Sequence, residues 1–292
     1  MKGISFLGLL VISSGVWANI YKYQDEKGHW HYTDKPSAAK NLEAVNYKKT
    51  KEKEVLFRLF TQTENESTWL MAENKFYAPV QLSIKKSKTD VESQDWVVEP
   101  RSSQKILPTA EDKNDFAYAW FLGNHKQRPS NQEYELPIDV SLCPQISQSF
   151  NGRFSHQHPQ SQYAVDIAAN VGTAIKAARA GVVVGVKDDY ALGGIDNFFL
   201  DKANFIQVYH EDGTWALYAH ILLGSAAVKL GDKVEVGDVL AKSGSSGYSS
   251  GPHLHFVIHR NSGLKAESIP FQFKASDGSL FTPKFAQKLC EI

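Results

Sequence analysis

The chain has 292 residues, about two domains' worth at roughly 150 residues each, which excludes a peptide or a lone small module. Lys+Arg 32 and Asp+Glu 32 give a formal net charge of +0, so no whole-protein field draws in nucleic acid or an anionic membrane. Hydrophobic residues at 42% and aromatics at 12% exclude bulk disorder and lean towards β-structure, and two cysteines are too few for an all-Cys metal site.

Residues 1–18 read as a signal peptide: Lys2, an apolar run from Ile4 to Ile12, then the small-residue site Val16-Trp17-Ala18. The run is well short of the ~20 apolar residues of a membrane span, and no later segment supplies one. The mature protein is expected to be secreted into an oxidising compartment. There Cys143 and Cys290 can pair, although spacing alone leaves open whether they meet.

Residues 19–50 form a short N-terminal β module and linker. Aromatic and polar residues alternate on both sides of Glu26-Lys27-Gly28, a β-hairpin signal. His29 and His31 share a strand face as a conceivable metal pair, but an exposed face beside Trp30 and Tyr32 is the simpler reading. This segment resembles a short domain of unknown function, DUF4124, that begins many secreted bacterial envelope proteins. Residues 37–54 carry little apolar period and read as linker. Residues 51–130 hold short alternating runs (55–60, 68–72, 79–84, 96–98 and 116–121) separated by polar clusters, the pattern of a small β-sandwich.

Residues 136–275 are glycine-rich with short strands and no long amphipathic helix, so the fold class is mainly β with an antiparallel C-terminal core. Gly231-Asp232 and Gly237-Asp238 mark turns between runs at 228–230, 233–236 and 239–242. Residues 276–292 are left as a tail.

His253-Leu254-His255 places two imidazoles on one strand face. Burying such a pair costs desolvation, whereas a metal ion uses neutral imidazole directly. Tyr218-Ala219-His220 and Tyr163-Ala164-Val165-Asp166 end two other runs, the second beginning at Phe154-Ser155-His156-Gln157-His158. The set suffices for three ligands plus one or two unligated catalytic imidazoles.

These blocks, with Gly172-Thr173-Ala174, His210-Glu211-Asp212-Gly213-Thr214 and Ser243-Gly244-Ser245-Ser246-Gly247, resemble the catalytic domain of the M23 (lysostaphin-like, LytM-type) zinc metallopeptidases. The resemblance implies one Zn²⁺ per chain, with Asp166 and His255 as ligands. It leaves His220 and His253 unligated beside the metal as catalytic groups acting on water and the developing oxyanion. Members of the family commonly carry another histidine ligand four residues before the aspartate, where this chain has Gln162. A longer-looped form has Ser-His upstream, resembling Ser155-His156; His158 is the alternative, and a chain using neither would be degenerate. His210, His259 and Arg179 read as structural, with His259 able to line a groove, and Asn204 as a groove or turn residue.

The resemblance implies a cell-wall endopeptidase that cuts peptidoglycan stem or cross-link peptides by a metal-activated water; the leader, with no lipid-acceptor Cys beside it and no later span, points to the periplasm of a Gram-negative bacterium, with extracellular release second. The rival is a non-catalytic regulator that activates a partner amidase, a reading that Gln162 keeps open.

Overall fold

The computed structural model describes residues 20–28, 30–33, 43–45, 55–85, 92–110, 116–130 and 133–292. The leader and His29 lie outside the described residues. The chain forms two compact units, Met1–Lys49 and Thr50–Ile292.

In the first unit, strands Ile20–Gln24 and Trp30–Thr33 pair antiparallel, and Gly28 closes their turn at φ +84° with its N–H on Asp25 O. His31 Nε2 lies 2.9 Å from Asp25 Oδ2 and its ring stacks on Tyr23, so this histidine is engaged within its own hairpin. Strand Glu43–Val45 adds to the free edge of Ile20–Gln24, inside the stretch read as linker. Three residues are too few to show a period; edge pairing makes them a strand.

The second unit begins with two three-stranded antiparallel sheets. One joins Phe57–Glu64, Ser67–Asn74 and Ser102–Pro108; the other joins Gln94–Val98, Val80–Lys85 and Ala117–Leu122. Phe57, Leu59, Leu70, Leu82 and Val98 face one another as their core. Asn65 and Glu66, both at positive φ, make the tight turn of the first hairpin. Buried Asn74 donates through Nδ2 to Ala78 O, Val98 O and Glu99 O, each at 3.0 Å, and so ties the two sheets. Ser102–Pro108 escaped the sequence pattern because its residues are half-buried to exposed and mostly polar.

The remainder is built on an eight-stranded sheet. Its order is Ile146–Gln148, Val165–Ala168, His253–Asn261, Thr214–Ala219, Phe205–Tyr209, Gly181–Lys187 and Lys233–Val234, with Ala266–Ser268 also pairing with His253–Asn261. Period-two alternation sends Leu254, Phe256 and Ile258 into the main core with Tyr218, Ile167 and Ile206. The imidazoles of His253, His255 and His259 therefore share the opposite face. The first two sheets dock further along that same face, where Phe121 and Leu122 meet Val184, Tyr209 and Trp215. Asn261 Nδ2 donates to Gly123 O (2.9 Å) and Leu264 N–H to Gln81 Oε1 (3.0 Å), which fixes the docking.

Both Gly-Asp turns form as read. Gly231 and Gly237 each sit at φ +88°, Asp232 Oδ2 accepts from Lys229 N–H, and Asp238 Oδ2 from Glu235 N–H. Residues 228–230 make no strand, however, and Lys233–Val234 is only two residues long.

Residues 276–292 fold back onto the sheet. Strand Leu280–Phe281 pairs with Gln272–Lys274, Ala286 N–H donates to Ile146 O, and Cys290 is disulfide-bonded to Cys143 across 147 residues. Closing a loop of that length restricts the unfolded chain by up to about 5 kcal/mol. A Cys143→Ser/Cys290→Ser variant is expected to lose several kcal/mol in urea unfolding; an unchanged midpoint would mean that the bridge adds nothing.

His210 directly follows strand Phe205–Tyr209, with Nδ1 2.9 Å from Ala180 O and Nε2 buried without a hydrogen-bond partner among the described residues. Burial lowers its pKa from 6.5 to about 4. The unfolded chain then binds the extra proton between those values, so His210 contributes stability fully present above about pH 6.5 and lost as pH falls towards 4. The loss is at most about 3 kcal/mol. Unfolding at pH 7 and pH 4.5 should show a smaller difference for His210→Gln than for the unmodified chain; equal differences would place the acid sensitivity elsewhere.

Candidate metal centre

Asp166 and His255 are direct cross-strand partners in the register of Val165–Ala168 against His253–Asn261. His255 Nδ1 lies 2.8 Å from Asp166 Oδ1. His156 enters from the loop between Ile146–Gln148 and Val165–Ala168. Its N–H donates to Gly152 O, and its fully buried ring places Nε2 3.3 Å from the same carboxylate oxygen. One donor atom from each of the three residues lies within 4.8 Å of the other two.

The protonation pattern of this trio favours a cation. His156 Nδ1 is 2.9 Å from the carbonyl of Ser149, which can only accept, so Nδ1 carries the proton and Nε2 presents a lone pair. That nitrogen is buried and makes no hydrogen bond, yet it faces a carboxylate oxygen. Two buried acceptors in contact are unfavourable unless a positive centre joins them. Two imidazole nitrogens and a carboxylate oxygen make a donor set suited to zinc.

His220 and His253 lie beside the trio, their rings 4.5 Å apart between centroids. His220 Nδ1 contacts Ser246 O at 2.7 Å and His253 Nδ1 contacts Gly251 O at 2.8 Å, so each is protonated on Nδ1 and keeps Nε2 as an acceptor. Burial and the neighbouring His253 and His255 lower the His220 pKa to about 3; burial also lowers that of His253. His220 follows strand Thr214–Ala219 at φ +63°, a left-handed conformation that costs a non-glycine residue about 1 kcal/mol or more. Together with Asp166, His255, Phe154, Tyr248 and Ser249, these two histidines line an open cleft of ≈170 Å³.

No sequence motif pointed to Gln148. Its Nε2 donates to Asp166 Oδ2 (2.9 Å) and Ser155 Oγ (2.8 Å), while Oε1 accepts from Phe154 N–H and Ser155 N–H. One amide thus holds both the carboxylate and the loop bearing His156, and it leaves Oδ1 facing the two histidines. A Cβ at Gly152 would overlap the Gln148 side chain, so glycine is required there. Gln148→Ala is expected to weaken zinc binding 10–100-fold, as for other outer-sphere partners. Competition with a chromophoric chelator checks this, and unchanged affinity would remove Gln148 from the account.

The other sequence candidates lie elsewhere. His158 is exposed and outside the trio. Gln162 donates to Asn151 Oδ1 on the surface of the same loop. Asn204 is fully buried, donating through Nδ2 to Tyr190 O and Ile221 O, which makes it an internal staple and not a groove residue. Arg179 pairs with Asp212 at 2.9 Å. His259 is 2.7 Å from Gln160 O through Nε2.

Residues 160–266 match the model of peptidase family M23, and residues 7–55 match that of a domain of unknown function, DUF4124. The C-terminal part of the chain is therefore similar to that family. It is 35% identical over 125 residues to glycyl-glycine endopeptidase ALE-1 of Staphylococcus capitis, covering 41% of this chain and 31% of that protein. It is 34% identical over 131 residues to the DD-carboxypeptidase/endopeptidase Mpg of Neisseria meningitidis, covering 42% and 26%. The catalytic domain of the antimicrobial peptidase lysostaphin from Staphylococcus simulans aligns at 31% identity over 42% of this chain and 84% of its own, with a TM-score of 0.30. The chain thus spans under a third of the length of these two curated relatives. Among the described residues no helix is long and apolar enough to cross a membrane.

Proposed function

We propose that residues 136–275 are a zinc endopeptidase that hydrolyses peptide bonds in the stems or cross-links of peptidoglycan. The β module of residues 19–50 and the sandwich of 51–130 precede it. The observation that carries this reading is the convergence of His156 Nε2, Asp166 Oδ1 and His255 Nδ1, with a buried nitrogen on His156 that makes no hydrogen bond among the described residues. These three would hold one zinc ion. When bound, zinc supplies a Lewis acid for the scissile carbonyl and lowers the pKa of water to about 7.

The protein's own share of the chemistry falls to His220 and His253. Each is neutral near pH 7 and anchored through Nδ1 to a backbone carbonyl, so Nε2 is the atom that takes a proton from the attacking water. Once protonated, the same atom donates to the developing oxyanion and then returns the proton to the departing amine. Ser246 O and Gly251 O keep both rings oriented without a carboxylate partner.

The names of the relatives, a glycyl-glycine endopeptidase and a DD-carboxypeptidase/endopeptidase, support an amide substrate built from glycine or D-amino acids. The amidase-regulator reading rested on Gln162, and the position of His156 beside Asp166 and His255 supports the enzyme instead. The leader at 1–18 supports export, and we place the mature protein in the periplasm of a Gram-negative bacterium. The test is incubation of tag-free mature protein with purified peptidoglycan. The reading expects new free amines and soluble fragments, lost on chelation and restored by zinc. No new amine, with stimulation of an added amidase, would overturn it.

A further inference from the structure

Among the described residues, none of those lining the metal cleft comes from the small sandwich. It forms instead one wall of a second groove, of ≈650 Å³, along the same sheet face. Leu217, Val257 and Gln207 lie on the sheet side, and Phe76 and Trp120 on the sandwich side. His255 lines both spaces, so the groove adjoins the cleft.

The wall is fixed in place. Trp120 packs on Phe57 and Phe76, with ring centroids 5.3 and 5.4 Å apart, yet stays 40% exposed. The strand that carries it is pinned through Gly123 to Asn261 by a buried hydrogen bond. Among the described residues no Asp, Glu, Lys or Arg lines the groove; apart from His255 and His259 its polar side chains are neutral amides and a hydroxyl, among them Gln207 and Gln160.

We propose that this groove binds sugar rings of the glycan strand next to the peptide being cut. The inference rests on the peptidoglycan reading and names what the site beyond the metal recognises. Stem peptides carry carboxylates and amines, and the described lining offers those charges no ionic partner in return for lost hydration. A neutral saccharide fits better, laying its CH face on the aromatic wall of Trp120 and Phe76 while hydroxyl and acetamido groups meet Gln207 and Gln160. The sandwich is then a substrate-binding wall, and the enzyme prefers cross-links still attached to glycan.

Two measurements test this. Titration of the metal-free protein with the tetramer of N-acetylglucosamine should shift the indole N–H resonance of Trp120 while leaving exposed tryptophan-free regions such as Phe285 unmoved. Absence of any shift at millimolar tetramer overturns the proposal. In the second, kcat/KM is measured on a cross-linked muropeptide with its saccharide and on the same peptide without it. Trp120→Ala should lower the ratio of the two values roughly tenfold, the loss typical of a truncated aromatic anchor, and Trp120→Tyr should restore most of it. A ratio unchanged by Trp120→Ala, or equal losses on both substrates, overturns the proposal in favour of a peptide-binding groove. If the unmodified protein cuts neither substrate, the peptidase reading fails, and the tetramer titration still decides whether the groove takes sugar.

Discussion

Zinc analysis of the His156→Ala protein is expected to give almost no metal, whereas His158→Ala keeps one ion per chain. The two histidines are separated by one residue, but His156 is fully buried with Nε2 against Asp166 and His158 is exposed. Losing one of three protein ligands should weaken binding by more than about 100-fold, beyond the 10–100-fold cost of losing an outer partner. His255→Ala should behave like His156→Ala. Elemental analysis after dialysis of tag-free protein decides it, with unfolding curves of His156→Gln as the control for a collapsed loop. Zinc retained by His156→Ala and lost by His158→Ala would reassign the ligand.

Replacement of the unligated histidines should separate metal binding from turnover. His253→Ala and His220→Asn are expected to retain zinc and lower kcat about 10²–10⁴-fold, the usual worth of a positioned acid–base group. Asparagine is chosen at 220 because that residue sits at φ +63°, which Asn tolerates better than Ala. If His220→Asn lost zinc as completely as His255→Ala, His220 would be a ligand and the division of roles would be wrong. Rates on a soluble cross-linked peptide at saturating zinc give the comparison.

The alternation along residues 253–261 made the strand and its imidazole face readable in the sequence, because a period of two with Leu254, Phe256 and Ile258 has one packing solution. The Gly-Asp turns were readable for a similar reason: glycine supplies the positive φ and aspartate the acceptor. Which of His156 and His158 turns inward was not readable. That choice is made by loop hydrogen bonds to Ser149 O and Gly152 O, which no periodicity encodes. Gln148 and Asn204 were hidden for the same reason, since each acts by converging on groups distant in the chain. Strands Glu43–Val45 and Ser102–Pro108 escaped because pairing with a formed neighbour, and not their own pattern, makes them strands.

The return of residues 276–292 to the sheet sets an order of events during biosynthesis. Gln145 Nε2 donates to Ala286 O across 141 positions, Ile146 N–H donates to Gln287 O, and the strand so clasped ends at Gln148, the amide that holds Asp166. A chain still emerging from the ribosome has not yet made this clasp. The edge of the sheet beside Asp166 is therefore finished only after residues 284–290 arrive. The carboxylate of Asp166 is thus set in place by a segment that lies more than a hundred positions further along the chain.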